Sequence, residues 1–253
     1  MSAEIPDFDI VRAVNHGLLP RHYLSSRPGR LLQAYVGDYL KEEIAAESLT
    51  RNLPAFSRFL EVAALSNGEL VNYNNIASEC GISAPSVKEY FEITCDTLIG
   101  RFLPAWRKTG KRRRIHAPKF YFFDVGVTAH LARRGKIEQG SELFGRVFEQ
   151  FMINEIHAHA HYSELFYPRA FWRSASGFEV DCVLGDHEVA VEFNSTDMIR
   201  PRHLKGLRAF KEEFPVKKAI AVSLDPAPRV TEDHIRVLPA GEFLRQLWQG
   251  EVV

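Results

Sequence analysis

The stretch GFEVDCVLGDHEVAVEFN, residues 177–194, predicts a β-hairpin. Two runs rich in valine flank a Gly-Asp-His turn, and apolar and charged side chains alternate within each run. The neighbouring segments have the patterns of further strands at 165–167, 170–173 and 218–224, and of helices at 143–160, 201–214 and 240–249. A helix, a meander of strands, a second helix and a further strand predict an α/β arrangement with a mixed sheet.

The hairpin concentrates acidic side chains. Alternation places Glu179 and Asp181 on one face of the first strand, and Glu192 and Asn194 on one face of the second. A turn centred in the Gly-Asp-His segment puts Asp181 opposite Val191 or Glu192. Two carboxylates on one side of a hairpin can hold Mg²⁺, which would activate water and stabilise charge at a phosphodiester. The alternative is an exposed hairpin with solvated acidic residues.

Two more charged residues are expected to belong to this site. Glu149 lies on the polar edge of the preceding helix and is the candidate for a third metal ligand. Because three carboxylates this close repel one another, a basic neighbour such as Arg173 is expected to compensate part of their charge.

The first half of the chain predicts a helix-turn-helix. Apolar residues recur at helical spacing in 31–47 and 54–66, and a short helix is expected at 74–80. Gly81 then supplies a turn, and Ser83 is the expected N-cap of the next helix, with Pro85 in its first turn. Residues 1–30 have the composition of a connector.

A wing is predicted after the second helix of this motif. A strand at 102–106, a basic turn at 107–114 and a return strand would form it, and residues 119–123 would form another strand. The basic turn holds six Lys or Arg in eight residues, which suits phosphate contacts, although a charge run is also typical of a solvated turn. The candidate nucleic-acid contacts are Lys88, Arg107, Lys108, Lys111, Arg112, Arg113 and Arg114.

Composition sets further limits. Lys plus Arg equal Asp plus Glu at 32 each, so any contact with nucleic acid must come from a local patch. The three cysteines form no C-x-x-C pair, and no apolar stretch is long enough to span a bilayer or to act as a signal peptide. These features predict a soluble cytoplasmic protein without membrane partners. His157 and His161 could share a metal at helical i, i+4 spacing, but a surface helix end is the simpler interpretation.

Residues 8–250 resemble the domain of unknown function that follows the ATPase domain in many bacterial and archaeal AAA-type ATPases. The matching motifs are YVGDYLKEEI at 35–44, PKFYFFDVG at 118–126 and GFEVD at 177–181, with Phe148-Glu149 and Trp172-Arg173 between the last two. The resemblance implies a winged helix followed by a PD-(D/E)XK nuclease-like fold. The overall expectation is an α+β protein with a connector at 1–50, a winged helix-turn-helix at 51–126 and a nuclease-like domain at 127–253.

Two departures from that family bear on activity. The chain lacks a G-x-x-x-x-G-K-[ST] loop, so no ATP site is expected. The nuclease pattern also has a lysine two residues after Glu192, where this chain has Asn194, which cannot stabilise developing negative charge by its own charge. Lys205 on the next helix could replace that lysine, or could simply be a solvated helix residue.

Three functions follow as hypotheses. The first is a DNA-associated accessory module of the AAA-type ATPase family with an inactive nuclease-like domain. The second is an active Mg²⁺-dependent nuclease that uses Asp181, Glu192 and Asn194 in catalysis and Glu149, Asp181 and Glu192 as metal ligands. The third is a protein-interaction module that pairs with a separate ATPase subunit.

Overall fold

The computed structural model describes residues 7–39, 52–106 and 115–253, together with Ser2, Glu4 and Ile5. The chain forms two compact units. The N-terminal unit comprises Asp9–Phe102 and Pro118–Gln139, and the C-terminal unit comprises Met1–Phe8, Leu103–Ala117 and Gly140–Val253. The predicted domain boundary after residue 126 therefore differs from the boundary of the compact units, since the helix that follows residue 124 packs within the N-terminal unit.

The N-terminal unit is mainly helical. Its elements are α1 (Ile10–His16), α2 (Pro20–Tyr23), α3 (Pro28–Ala34), a π-helical turn (Tyr35–Tyr39), α4 (Leu53–Leu65), α5 (Tyr73–Cys80), α6 (Ala84–Asp96), β1 (Gly100–Leu103), β2 (Lys119–Phe122) and α7 (Val125–Leu131). The first 30 residues were predicted as a connector, and this was wrong. Ala13, Val14 and Tyr23 are buried, so this segment forms part of the folded unit.

The predicted Gly81 turn and Ser83 N-cap between α5 and α6 are confirmed. The Ser83 Oγ accepts a hydrogen bond from the Ser86 N–H at 3.2 Å and begins α6. Gly81 ends α5 in the left-handed conformation, at φ 66°, which a residue with a side chain rarely adopts. Behind the two helices, Phe59 packs edge to face with Phe91, and Phe91 with Phe120, both with ring centroids 4.8 Å apart. The aromatic core fixes α4, α6 and β2 together.

The predicted wing is arranged differently from expectation. β1 pairs with β2, so residues 119–122 are the return strand rather than an additional strand. The predicted strand at 102–106 does not continue β1. Instead, Ala105 forms a parallel bridge with Phe171, and the Trp106 N–H donates to the Phe171 carbonyl at 2.7 Å. Because these bonds lie within the C-terminal unit, residues that flank the basic run belong to that unit.

The C-terminal unit is a mixed sheet with helices. Its elements are α8 (Glu142–Tyr162), β3 (Arg169–Arg173), β4 (Glu179–Leu184), β5 (Val189–Phe193), a 3₁₀ turn (Pro201–Leu204), α9 (Lys205–Glu213), β6 (Lys218–Ser223), β7 (Arg229–Val230), β8 (Ile235–Pro239) and α10 (Ala240–Trp248). The strand order is β3-β4-β5-β6-β8-β7. Strands β5, β6 and β8 are parallel to one another, and the other pairs are antiparallel.

Helices followed by a mixed sheet confirm the predicted α+β class and the sheet's mixed topology. The predicted strand at 165–167 is absent, since this described segment leaves α8 as an irregular loop. Strands β7 and β8 were missed, and the predicted helix at 201–214 begins as a 3₁₀ turn. Within the described residues, no helix combines the length and the apolar character that crossing a bilayer requires.

Candidate functional site

The β4–β5 hairpin forms with the predicted turn. Cys182 pairs with Val191 and Val183 with Ala190, so continuing the register places Asp181 beside Glu192 on the neighbouring strand. The structure therefore brings these two candidate residues to adjacent strands, as the sequence predicts.

A bulge interrupts the alternation of β4 at this point. Ala170 pairs with Val183 and Trp172 with Val180, so two steps along β3 correspond to three along β4. As a result, Val180 and Val183 both belong to the core cluster on the α9 side of the sheet, although strict alternation would separate them. The expected regular alternation along this strand is therefore wrong between residues 180 and 183.

The Asp181 side chain accepts a hydrogen bond from the backbone of the hairpin. Its Oδ2 accepts a hydrogen bond from the Phe193 N–H at 2.8 Å, and the residue is only 7% exposed. A bulge leaves strand groups without their regular backbone partners, and here a side-chain carboxylate takes the place of a backbone carbonyl. One oxygen of the predicted metal ligand is thus already engaged in holding β4 to β5.

Asn194 follows β5 directly. Its backbone N–H donates to the Val222 carbonyl at 2.9 Å, which continues the parallel pairing with β6. Among the described residues, none accepts a hydrogen bond from the Asn194 Nδ2, although this atom is shielded from solvent. The amide therefore occupies a shielded position where the nuclease pattern has a lysine.

A buried carboxylate fixes the loop after Asn194. The Asp225 Oδ2 accepts from the Ile199 N–H at 2.9 Å and from the Ser223 hydroxyl at 2.7 Å. Arg229 donates to the other oxygen of Asp225 at 3.2 Å and to the Ile199 carbonyl at 2.7 Å. This arrangement holds the 194–199 loop against the end of β6, and the sequence analysis did not identify it.

Glu149 lies on the part of α8 that faces the end of β5. One turn earlier, a Cβ on Gly145 would lie 3.3 Å from the Ser195 Oγ, and residues four apart share a helix face. Glu149 itself is half-buried. Nevertheless, within the described ranges no group of three or more His, Cys, Asp or Glu side chains is placed to hold a metal ion.

The basic residues suggested for this site have other positions. The Arg173 guanidinium lies 3.4 Å from the carboxylate of Glu179, rather than compensating Asp181 and Glu192. Lys205 begins α9 and is exposed. The site therefore combines an Asp181 that has one oxygen bonded to backbone with an Asn194 in place of the lysine of the nuclease pattern.

The second candidate site was the surface of the helix-turn-helix. The exposed side of α6 carries Lys88, Glu89, Glu92 and Asp96, which makes it predominantly acidic. The Lys88 ammonium lies 4.0 Å from Glu92 on the next turn, and both side chains are largely exposed. This face would repel the phosphates of a DNA groove, so the position of α6 gives Lys88 little support as a DNA contact.

The basic run from Arg107 to Arg114 lies outside the described residues. Its two flanks are both attached to β3, through the Trp106 N–H and through the Ile115 N–H, which donates to the Arg173 carbonyl at 3.0 Å. Trp106 also packs into the core of the C-terminal unit. The run is consequently connected at both ends to the sheet of that unit.

The predicted histidine pair is present at the end of α8. The rings of His157 and His161 have centroids 4.3 Å apart, and His161 is exposed. His159 is buried and its Nδ1 lies 3.0 Å from the Tyr167 hydroxyl, so this residue belongs to the core of the unit.

Asp124 is a buried charged residue that the sequence analysis did not select. It is 1% exposed, caps α7 by accepting the Val127 N–H at 2.8 Å, and also accepts from the Leu18 N–H. Burial raises the pKa of the Asp124 carboxyl, against the lowering effect of these backbone hydrogen bonds. An aspartate directly before a helical run is an N-cap signal, which could have identified it.

The sequence comparisons divide the chain between residues 138 and 144, close to Gln139, where the last segment of the N-terminal unit ends. Residues 7–138 match DUF8612, a domain of unknown function, and residues 144–243 match DUF4143, a second domain of unknown function. The segment 8–250, which resembles a single domain of unknown function in the sequence, therefore matches two separate family models. Neither a curated protein nor a solved structure matches the chain. Because the first match covers more than half of the sequence, the chain belongs to the DUF8612 family and carries a DUF4143 domain after it.

Proposed function

We propose that this protein is a DNA-associated accessory module of an AAA-type ATPase system, in which the nuclease-like domain is a scaffold rather than a catalyst. DUF4143 is commonly associated with AAA-type ATPases, which supports the first part of this proposal. The hydrogen bond from the Phe193 N–H to Asp181 supports the second part, because it gives this carboxylate a structural task between β4 and β5 and engages one of its two oxygens.

DNA contact is assigned to the basic run at 107–114. The run holds six cationic side chains in eight residues, and the residues on either side of it, Trp106 and Ile115, are held on β3 by backbone hydrogen bonds. The helix α6 is not expected to read a DNA groove, because its exposed side is acidic. Binding through such a basic run would be governed by phosphate charge and would show little sequence preference.

The scaffold role is tested by incubating supercoiled plasmid with the protein and Mg²⁺ or Mn²⁺. No nicking above background is expected for the unmodified protein, for Asp181→Ala or for Asn194→Lys. The last variant is the critical one, because it supplies the missing lysine while Asp181 remains bonded to Phe193. Metal-dependent nicking by the unmodified protein that disappears in Asp181→Ala would refute the scaffold role and support the nuclease alternative.

DNA association is tested by fluorescence anisotropy with a labelled duplex over a range of salt concentrations. Replacing Arg112, Arg113 and Arg114 with Ala should lower both the affinity and the dependence on salt, because fewer counterions are released. Lys88→Ala is the matched control and should leave both unchanged. The basic run would be excluded as the DNA contact if the triple variant kept its affinity for DNA. It would also be excluded if Lys88→Ala lost as much affinity as the triple variant.

The acidic side of α6 favours protein contact as a second candidate function for the helix-turn-helix. Winged helices also serve as interaction modules, and an acidic helix is complementary to a basic protein surface. Charge reversal by Glu89→Lys and Glu92→Lys should weaken association with an AAA-type ATPase from the same cell in analytical ultracentrifugation. Glu138→Lys, an exposed change elsewhere in the unit, should not. Equal association of all three proteins would rule out this contact.

A further inference from the structure

The N-terminal unit contains an open cleft with a volume of about 720 Å³. It lies between α1, the first residues of α3, α7 and the segment 132–137 that follows α7. Small-molecule sites in proteins usually measure roughly 300–1,000 Å³, so this cleft has room for a compact ligand. The lining residues described for this cleft all belong to the N-terminal unit.

The walls of the cleft are held in place without a ligand. The Asn15 side-chain amide donates to the Val11 carbonyl at 2.9 Å and to the Ile137 carbonyl at 3.1 Å. Its oxygen in turn accepts the Ile137 N–H at 2.8 Å. The two bonds with Ile137 tie the segment after α7 to α1, and the bond with Val11 orients the Asn15 amide, so a ligand would enter a preformed site and lose little affinity to ordering it.

The lining has an excess of positive charge. Arg12, Arg134 and Lys136 contribute cations, and Asp9 contributes the only carboxylate among the described residues of the lining. The Asp9 carboxylate accepts the Arg12 backbone N–H at 2.6 Å and thereby caps α1. The pairing of Lys136 with Glu138 at 3.0 Å is between exposed side chains, so it is weak and can be exchanged for a ligand.

Arg12 is held in place by two contacts with Tyr23. Its Nε donates to the Tyr23 carbonyl at 2.9 Å, and its guanidinium lies over the Tyr23 ring at 5.0 Å from the centroid. The guanidinium is therefore oriented, while its terminal nitrogens retain donors that can bind an oxyanion in bidentate fashion.

The rest of the lining is apolar. Val14, Leu32 and Ile137 are buried at the bottom of the cleft, and Ala129 lies beside His130 on α7. Burial lowers the pKa of His130, so this ring is neutral at neutral pH and can contact an apolar ligand surface. From the cationic groups and the apolar floor, we infer that the cleft binds a small phosphorylated molecule that has an apolar or aromatic body.

The inference is tested by isothermal titration calorimetry of the full chain with phenyl phosphate and ADP. Inorganic phosphate and phenol serve as partial probes of the charged and the apolar parts. Saturable binding is expected for phenyl phosphate, for ADP or for both. This binding should be tighter than that of inorganic phosphate or phenol. Arg12→Ala and Arg134→Ala should each lower the affinity about tenfold or more, since each removes a charged hydrogen-bond donor. Lys88→Ala, in the same unit, should have no effect.

A second variant separates binding in the cleft from loss of folding. Ala129→Trp places a bulky ring in the cleft and should abolish binding, while circular dichroism and the melting temperature confirm that the protein is folded. Two results would overturn the inference. One is the absence of saturable heat with either phosphorylated probe at about 1 mM, and the other is unchanged binding in Ala129→Trp and the two arginine variants.

Discussion

Two buried aspartates, one in each unit, lie in sequence motifs that predict different roles for them. Asp124 lies in the N-terminal unit and serves two backbone N–H groups, those of Leu18 and Val127. Asp181 lies in the C-terminal unit, in a motif with the pattern of a metal site, and serves the Phe193 N–H. A carboxylate in a predicted metal-site motif and a carboxylate at a helix start can therefore have the same structural task.

The largest effect is expected from Asp124→Ala. The change removes the cap of α7 and leaves two buried N–H groups without an acceptor, which should lower the free energy of unfolding by about 3–5 kcal/mol. Asp96→Ala, an exposed change near the end of α6, is the matched control and should alter it by less than about 0.5 kcal/mol. Urea denaturation measures both. A loss below about 1 kcal/mol for Asp124→Ala would show that Asp124 is less important to the fold than its contacts suggest.

The packing of α9 on β4, the strand that carries Asp181, can be tested at Gly206. A Cβ on Gly206 of α9 would lie 1.6 Å from the Glu179 carbonyl oxygen, so no side chain fits there without displacing the helix from β4. Gly206→Ala should therefore destabilise the protein by about 3 kcal/mol.

Gly241→Ala provides the control for this change. Gly241 is also helical, but its Cβ position has no neighbour within 4 Å, so the substitution should range from neutral to a gain of about 1 kcal/mol. Equal effects of the two substitutions in thermal denaturation would show that α9 can move away from β4 at little cost.

Asp181→Ala tests whether Asp181, like Asp124, stabilises the fold by accepting a backbone hydrogen bond. Loss of the acceptor for the Phe193 N–H should reduce stability by about 1–3 kcal/mol, less than for Asp124→Ala because one N–H group is affected instead of two. Asp197→Ala, an exposed change in the nearby loop, should have almost no effect. If Asp181→Ala left stability unchanged or raised it, the carboxylate would be held there for a purpose other than folding, as at an active site.

The sequence predicted the hairpin turn, the Gly81 turn and the Ser83 N-cap, because these depend on local turn chemistry. It left Val191 and Glu192 both open as the neighbour of Asp181, because the register depends on pairing between strands. It could not predict the bulge at 180–183, since the extra residue in β4 is defined only by pairing with β3. The same reason applies to Ala105 and Ile115, whose partners lie more than 50 residues away on β3. The non-local bonds of Asp124 and Asp225 are likewise invisible in the sequence.

The smallest effect concerns the ionisation of Asp124. Burial raises the pKa of its carboxyl above the ordinary value of 3.8, so the folded state binds a proton that the unfolded state has already released. The contribution of this bound proton to the stability of the folded state is fully present below pH 3.8. It is lost as the pH rises through the raised pKa of the folded state. The stability of the unmodified protein relative to Asp124→Asn should therefore fall as the pH rises from the ordinary pKa, and then level off.

Urea denaturation of both proteins between about pH 4.5 and 8 measures this difference. The nearby imidazole of His22 also titrates, with a pKa lowered by burial, so the comparison is repeated in a His22→Gln background. The fall should persist there, because its origin is the desolvation of the carboxyl. A relative stability that instead rises with pH would mean that the hydrogen bonds from Leu18 and Val127 outweigh burial and that Asp124 is held as the anion. Asp124 would then anchor α7 through hydrogen bonds that favour its charged form, against the effect of burial.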